Sequence, residues 1–321
     1  MFNNFQSYRI IRWGKSLITS WIFRALITTM VVFFCGAYLI KNLKELTIVR
    51  DSLRFDWLLL CMSFLIVVLI VCTGGLAWIL ILKALGQKIY IIEGLKIQNY
   101  ANISKYIPGF LWPYASKVYL SKKVGIIEKI SGLSILLEFF LLIFVGFFVS
   151  LFFFPKDILS NYPYLKENSL SLQVLGIGLL LLILIIIIFQ FGLIQRKLKL
   201  SFFFKKELLL ISSLLLCLNW LGLGIGLWLI SKSIYTLTSN NIGYFVFSFA
   251  VSMIAGILIL PVPNGVGVRE SIMVFLLSTQ LPSSIAVILA VLSRLLIIIG
   301  EVVNLAGIAL IQKITKSKMN D

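Results

Sequence analysis

The chain has 321 residues, 60% hydrophobic and 13% charged, with a formal net charge of +17 and no histidine. That composition excludes a soluble domain and describes an all-α polytopic membrane protein, with room for about seven or eight transmembrane helices and no soluble catalytic domain. Without histidine there is no His-based acid, relay or metal site. The four cysteines, Cys35, Cys61, Cys72 and Cys217, stand singly in apolar runs without metal or redox spacing, so no cofactor is expected.

Residues 1–20 carry Arg9, Arg12 and Lys15 and no acid, which makes them a cytoplasmic N-terminal segment. Residues 21–40 form the first span. The run is too long for a signal peptide, contains Arg24 and ends without a small-residue cleavage site. Residues 41–56 are near charge balance, as at an outer face. The second span is 57–82, with Gly74 and Gly75 as a kink or close-packing point. Residues 83–129 hold ten charges, eight of them basic, and are cytoplasmic by the positive-inside rule. Within them an amphipathic stretch, 89–107, and an aromatic-rich stretch, 110–124, read as helices lying on or dipping into the bilayer, the second ended by Gly125.

The third span, 130–154, carries Glu138, a carboxylate that needs a partner or a purpose at membrane depth. Residues 155–171 form an outer loop and 172–194 a fourth, lipid-facing span. A basic loop then leads to the fifth span, 208–230, with Asn219, Trp220, Trp228, Gly222 and Gly226. The sixth, 243–260, places Ser248, Ser252 and Gly256 on one stripe, so the fifth and sixth are expected to pack together at the centre. The last span, 283–311, puts Arg294, Glu301 and Asn304 on one face. That stripe reads either as an interhelical ion pair, for instance Arg294 with Glu138, or as a path for a polar headgroup. The membrane domain is thus 21–312, with a basic tail, 313–321, after it. The basic loops are read as topology and attraction to anionic lipid, so no nucleic acid is expected as a partner.

Between the sixth and last spans, residues 261–270 read PVPNGVGVRE. Pro261 and Pro263 stop the preceding helix, Asn264 and Gly265 signal a turn, and Asn264 could cap the next helix. Gly265 and Gly267 leave bare backbone before Arg269 and Glu270 open that helix, whose N-terminus beside an arginine suits an anion. The plain reading is a capped kink in which Arg269 and Glu270 satisfy each other. A second copy argues for more: residues 106–117 read YIPGFLWPYASK, again a Pro/Gly break opening a helix with a basic residue, Lys117. Pro108 lies 138 − 108 = 30 residues before Glu138, and Pro263 lies 294 − 263 = 31 before Arg294. Paired broken, re-entrant-like segments in an internal repeat point to a midplane binding site.

These motifs resemble the membrane domain of the lysylphosphatidylglycerol synthase family, a flippase-like region that also occurs alone, without the synthase domain. Pro108, Gly109 and Trp112, extended by Lys105 and Tyr106, resemble its first motif, and Glu138 its span glutamate. Pro263, Gly265, Gly267 and Glu270 resemble the second motif, and Arg294 the final arginine. Lys117 departs from the usual arginine and supplies the charge without a bidentate fork; Asn264 replaces a frequent glycine or proline. The resemblance implies a non-enzymatic protein that moves a polar-headgroup lipid between leaflets, either an aminoacylated phospholipid or an envelope glycolipid or polyprenyl-phosphate-linked glycan. With Arg269 beside the second helix start and Glu301 on the polar stripe of the last span, both read from the residues themselves, the candidate substrate-binding residues are Pro108, Gly109, Trp112, Lys117, Glu138, Asn264, Gly265, Gly267, Arg269, Glu270, Arg294 and Glu301. It implies a bacterial or archaeal plasma membrane with the N-terminus cytoplasmic, and as partners envelope-assembly enzymes or further copies of the chain. The alternatives are a non-catalytic scaffold of an envelope glycan assembly complex and a membrane-embedded glycosyltransferase; for the latter the outer loops offer only scattered acids such as Asp51, Asp56, Asp157 and Glu167.

Overall fold

Asp56 sets the start of the first described helix, its carboxylate accepting from the Leu58 and Leu59 amides at 3.0 and 3.2 Å. A computed structural model describes residues 54–105, 111–155, 170–171, 173–178, 205–237, 241–259, 265 and 267–320. They are helical, with no strand among them. In chain order the helices are α1 (Trp57–Ala84), α2 (Ile91–Ser104), α3 (Trp112–Lys123), α4 (Glu128–Phe152), α5 (Lys206–Ile234), α6 (Ile242–Leu258), α7 (Val268–Leu277) and α8 (Ser283–Asn320). Among the described residues α1, α4, α5 and the part Ser283–Gln312 of α8 are long and apolar enough to cross a membrane, while α6 is shorter. The N-terminal segment and the first expected span lie outside the described residues, as do most of the fourth span and the residues 106–110 and 260–264 of the two breaks.

Apolar burial adds little between helices that are already in lipid, so close approach and interhelical hydrogen bonds hold the bundle. The α1–α5 seam is the most extensive. Across it Ser63 Oγ donates to the Gly226 carbonyl at 2.9 Å, Ser212 Oγ to the Ala77 carbonyl at 3.0 Å and Asn219 Nδ2 to the Ile70 carbonyl at 2.7 Å. Gly222 belongs to the same seam: a Cβ there would lie 2.4 Å from Ile70. The fifth and sixth expected spans do pack together as α5 and α6, but through a different glycine. Gly222 and Gly226 face α1, and Gly224, between them on the other side of the helix, meets the Val246 backbone, where a Cβ would sit 2.5 Å away. On α6 the stripe of small residues turns elsewhere, with Gly256 lying against Gly265 and Arg269. α8 joins α1 through Asn304, whose Nδ2 donates to the Val68 carbonyl at 2.9 Å.

Two segments share a plan. In the first, α2 leads through residues 105–111 to α3, a turn at Gly125 and α4. In the second, α6 leads through residues 259–267 to α7, a turn at 278–282 and α8. Gly125 has φ +83°, the left-handed value that terminates a helix without Cβ strain. The short helices have 12 and 10 residues, about 18 and 15 Å at 1.5 Å per residue, and neither is long enough to cross alone. Each packs against the helix before it and the helix after it.

Candidate functional site

The α3–α4 hairpin carries a buried cation. Lys117 is 4% exposed; its Nζ donates to Glu138 Oε2 and lies 4.2 Å from the centre of the Trp78 ring. Trp78, on α1, is fully buried and its indole N–H donates to Ser134 Oγ at 3.1 Å, so one side chain ties α1 and α4 together beneath the ammonium. The negative face of an indole and a carboxylate both favour a positive charge, which offsets its removal from water. Glu138 stands 138 − 128 = 10 residues into α4, about 15 Å along its axis. Its other oxygen accepts from Gln98 Nε2 at 3.4 Å, and the same amide faces Asn102 Oδ1, also at 3.4 Å.

Gln98 and Asn102 lie four apart on α2 and Lys105 three further on, so helical spacing puts the three on one face. Opposite them stand α6 and Arg269 of α7. Arg269 is 6% exposed, with its guanidinium carbon 5.1 Å from the Phe249 ring. Between these elements is a cleft of about 220 Å³. Its polar lining includes Gln98, Asn102, Lys105, Tyr114, Lys117, Glu138 and Arg269, and its apolar lining includes Phe139, Leu142, Met253 and Ile257. The cleft is therefore built from both repeated segments, polar along α2 and α3 and apolar along much of α4 and α6.

Two further ion pairs flank it. Lys105 Nζ donates to Glu301 of α8. Arg294 of α8 donates to Glu270 Oε1, and Glu270 Oε2 accepts from the Gly267 amide at 2.7 Å. Gly267, with φ +86°, is thus the N-cap of α7, and the carboxylate of Glu270 satisfies its amide. The cap expected at Asn264 is formed three residues later. Gly265, with φ +61°, passes so close to α6 that a Cβ would lie 2.6 Å from Gly256 Cα. Lys122 and Glu128 pair across the Gly125 turn, but both are exposed and such pairs contribute little. Among the described residues no group of His, Cys, Asp or Glu is placed to hold a metal ion.

The model of the family described as the lysylphosphatidylglycerol synthase TM region matches residues 21–303. The chain belongs to that family. No curated protein and no solved structure matches it.

Of the candidate residues, Lys117, Glu138 and Arg269 come together in the cleft. Glu270, Arg294 and Glu301 pair beside it, and Gly265 and Gly267 shape the backbone of the second break. Trp112 begins α3 and does not line the cleft; Pro108, Gly109 and Asn264 lie outside the described residues. Two expected pairings are replaced. Arg294 takes Glu270 rather than Glu138, and Glu270 bonds Arg294 and its own N-cap rather than Arg269. The stripe Arg294, Glu301, Asn304 does share a face, but it is taken up by α7, by Lys105 and by α1, and no α8 residue is among the cleft lining. Sequence reasoning missed Gln98, Asn102, Tyr114 and Trp78. The signal available was the i, i+4, i+7 run of Gln98, Asn102 and Lys105, polar positions on one side of a helix flanked by apolar spans.

Proposed function

We propose that this protein moves a polar-headgroup lipid between the leaflets of a prokaryotic plasma membrane, acting as a transporter and not as an enzyme, with its N-terminus in the cytoplasm. The observation that carries this reading is the cleft itself. Lys105, Lys117, Arg269 and Glu138 meet there beside apolar side chains, at the seam of two repeated segments. Charged groups at such depth are costly and are retained where a polar cargo passes. The polar side of the cleft would hold a headgroup while the apolar side borders its acyl chains. Family membership supports a lipid-related role, and the absence of an ATP-binding motif in the sequence fits a carrier driven by gradients or by the concentration of its cargo.

The test is scrambling of headgroup-labelled lipids in proteoliposomes, comparing wild type with a Lys117→Met/Glu138→Gln variant of verified thermal stability. Movement of at least one lipid, lost in the variant, supports the proposal. A folded wild-type protein that moves none contradicts it and favours the scaffold role, in which the buried charges only hold helices together.

A further inference from the structure

Helix α2 has two working faces. Gln98, Ala101, Asn102 and Lys105 line the cleft, while Glu93, Lys96, Ile97 and Tyr100 line a second cavity of about 380 Å³ that shares no residue with it. Each set follows the i, i+3, i+4, i+7 spacing of one helix face, and the two sets are five positions apart, about 140° around the axis. The second cavity is completed by α3 and by Gln312 of α8, and its volume lies in the range of small-molecule sites. Ile92, Leu120 and Val124 form an apolar side, opposite the polar groups of Glu93, Lys96, Tyr100 and Lys123.

The position of this cavity in the bundle names its surroundings. Gln312 is the last residue of the part of α8 that is apolar enough to cross a membrane, and the helix continues to Asn320. The cavity therefore lies where the bilayer meets water. Tyr100 and Tyr119 are 45% and 59% exposed there, as aromatic side chains are at that boundary, and Lys123 Nζ is 4.5 Å from the centre of the Tyr119 ring. Glu93, Lys96 and Lys123 form no ion pair with one another or with any other described residue. Nor does the chain bring other acids here. Asp51 is three residues before Arg54, whose amide bonds the Ile234 carbonyl at the opposite end of α1, and Glu45 is 54 − 45 = 9 before it. Nine residues reach at most about 32 Å, whereas the 28 residues of α1 span about 42 Å. Asp157 is two residues after Pro155 and Glu167 three before Leu170, both at the far end of α4, where Gln173 bonds the Phe154 carbonyl at 3.2 Å. Asp321 follows Asn320, which is 320 − 312 = 8 residues beyond Gln312, about 12 Å further along α8.

We infer that the second cavity is the site of a resident phospholipid, its phosphate received by Lys96 and Lys123 and its acyl end laid along Ile92, Leu120 and Val124. Lysines at this level extend their ammonium groups toward headgroups while their stems cover apolar surface, and a basic pocket between membrane helices suits a lipid phosphate. Glu93, on the same rim, accepts a bond from a headgroup hydroxyl or ammonium. Phosphatidylglycerol and phosphatidylethanolamine share that chemistry, and phosphatidylcholine lacks the donor. The bound lipid joins α2, α3 and α8, and α2 and α3 also form the polar side of the cleft. The inference stands apart from the transport reading, since this occupant stays in place.

The test uses the full-length protein in phosphatidylcholine nanodiscs containing one photoreactive probe at a time: phosphatidylglycerol, phosphatidylethanolamine or phosphate-free diacylglycerol, each with a diazirine near the glycerol. Cross-linked peptides are mapped by mass spectrometry. At least one phospholipid probe should label the peptides holding Tyr100 and Lys123 about tenfold more than diacylglycerol does, and Lys96→Gln/Lys123→Gln, with its unfolding midpoint verified, should lower that labelling about tenfold. Which phospholipid labels identifies the headgroup. Lys88→Gln/Lys129→Gln removes the same charge outside the cavity and should leave the labelling intact, as should Lys117→Met/Glu138→Gln, so that failure of the cleft and failure of this site are read separately. No labelling of these peptides, equal labelling by diacylglycerol, or equal loss in the Lys88/Lys129 variant would overturn the assignment. So would displacement by inorganic phosphate as effective as by dihexanoyl phosphatidylglycerol, which would make the cavity a site for the free anion.

Discussion

In the α3–α4 hairpin the short helix supplies the cation, Lys117, and the long helix the carboxylate, Glu138; in α7–α8 the short helix supplies the carboxylate, Glu270, and the long helix the cation, Arg294. The construction is shared and the polarity reversed. Their surroundings separate their roles. Lys117 and Glu138 both line the cleft, whereas Glu270 and Arg294 do not, and Glu270 spends its second oxygen on the Gly267 amide at the start of α7. On the proposed function the first pair belongs to the site, while the bonds of the second suit a latch that holds the break in shape. An ion pair in a membrane protein therefore cannot be assigned a role from its depth alone; what else its oxygens bond decides.

The largest effect should come from the break that the second pair secures. Gly265→Ala combines a left-handed backbone with a Cβ 2.6 Å from Gly256 Cα, and neither backbone can yield cheaply. A loss of about 3 kcal/mol or more is expected from strain and overpacking together, seen as aggregation or a collapsed unfolding midpoint in detergent. Gly267→Ala, whose Cβ would meet nothing within 4 Å, should cost only about 1 kcal/mol from its positive φ.

Next in size is Arg294→Ala, which leaves the Glu270 carboxylate partly buried without its cation. About 2–4 kcal/mol should be lost, less than for a fully orphaned charge because the Gly267 amide still donates to it. Exchanging the two charges, Glu270→Arg with Arg294→Glu, should recover part of that loss but not the cap. Full recovery of stability in the swapped protein would show that the bond from the Gly267 amide contributes nothing.

Trp78→Phe sharpens the comparison at the first pair. It keeps an aromatic face under Lys117 but removes the N–H that bonds Ser134. A cost of about 1–2 kcal/mol is expected from the lost indole bond and the smaller ring, with transport retained; Ser134 keeps its own bond to the Ser131 carbonyl. At the small end, Lys122→Ala breaks only the exposed pair with Glu128 and should leave the unfolding midpoint unchanged.

Much of the fold could be read from the sequence because long apolar runs fix helices almost unaided. The expected second, third and fifth spans begin or end within a few residues of α1, α4 and α5, and Gly125 ends α3 as its backbone freedom suggested. α8 runs on past the expected end at 311 to Asn320, since the Lys and Gln residues there end the hydropathy but suit a helix. What sequence spacing could not supply was the identity of neighbours. It put Gly222 and Gly226 on one face and Arg294, Glu301 and Asn304 on another, correctly, but a face does not name the helix it meets. The pairings of Lys105 with Glu301 and of Arg294 with Glu270 join positions 196 and 24 residues apart, and several cations compete for each acid on charge alone. Gln98 was missed because a single glutamine in a cytoplasmic-looking amphipathic stretch carries no signal until Glu138 is placed beside it.

On the proposed function the first pair serves the cargo and the second serves the fold. The most direct test compares lipid scrambling by wild type, by Lys117→Met/Glu138→Gln and by Glu270→Gln/Arg294→Met, at a temperature well below the unfolding midpoint of all three. Neutralising both partners avoids an orphaned charge in either case. The first double variant should keep its unfolding midpoint and lose transport at least tenfold, while the second should be less stable and, where folded, still transport. Equal loss of transport in both, or loss confined to the second, would contradict it.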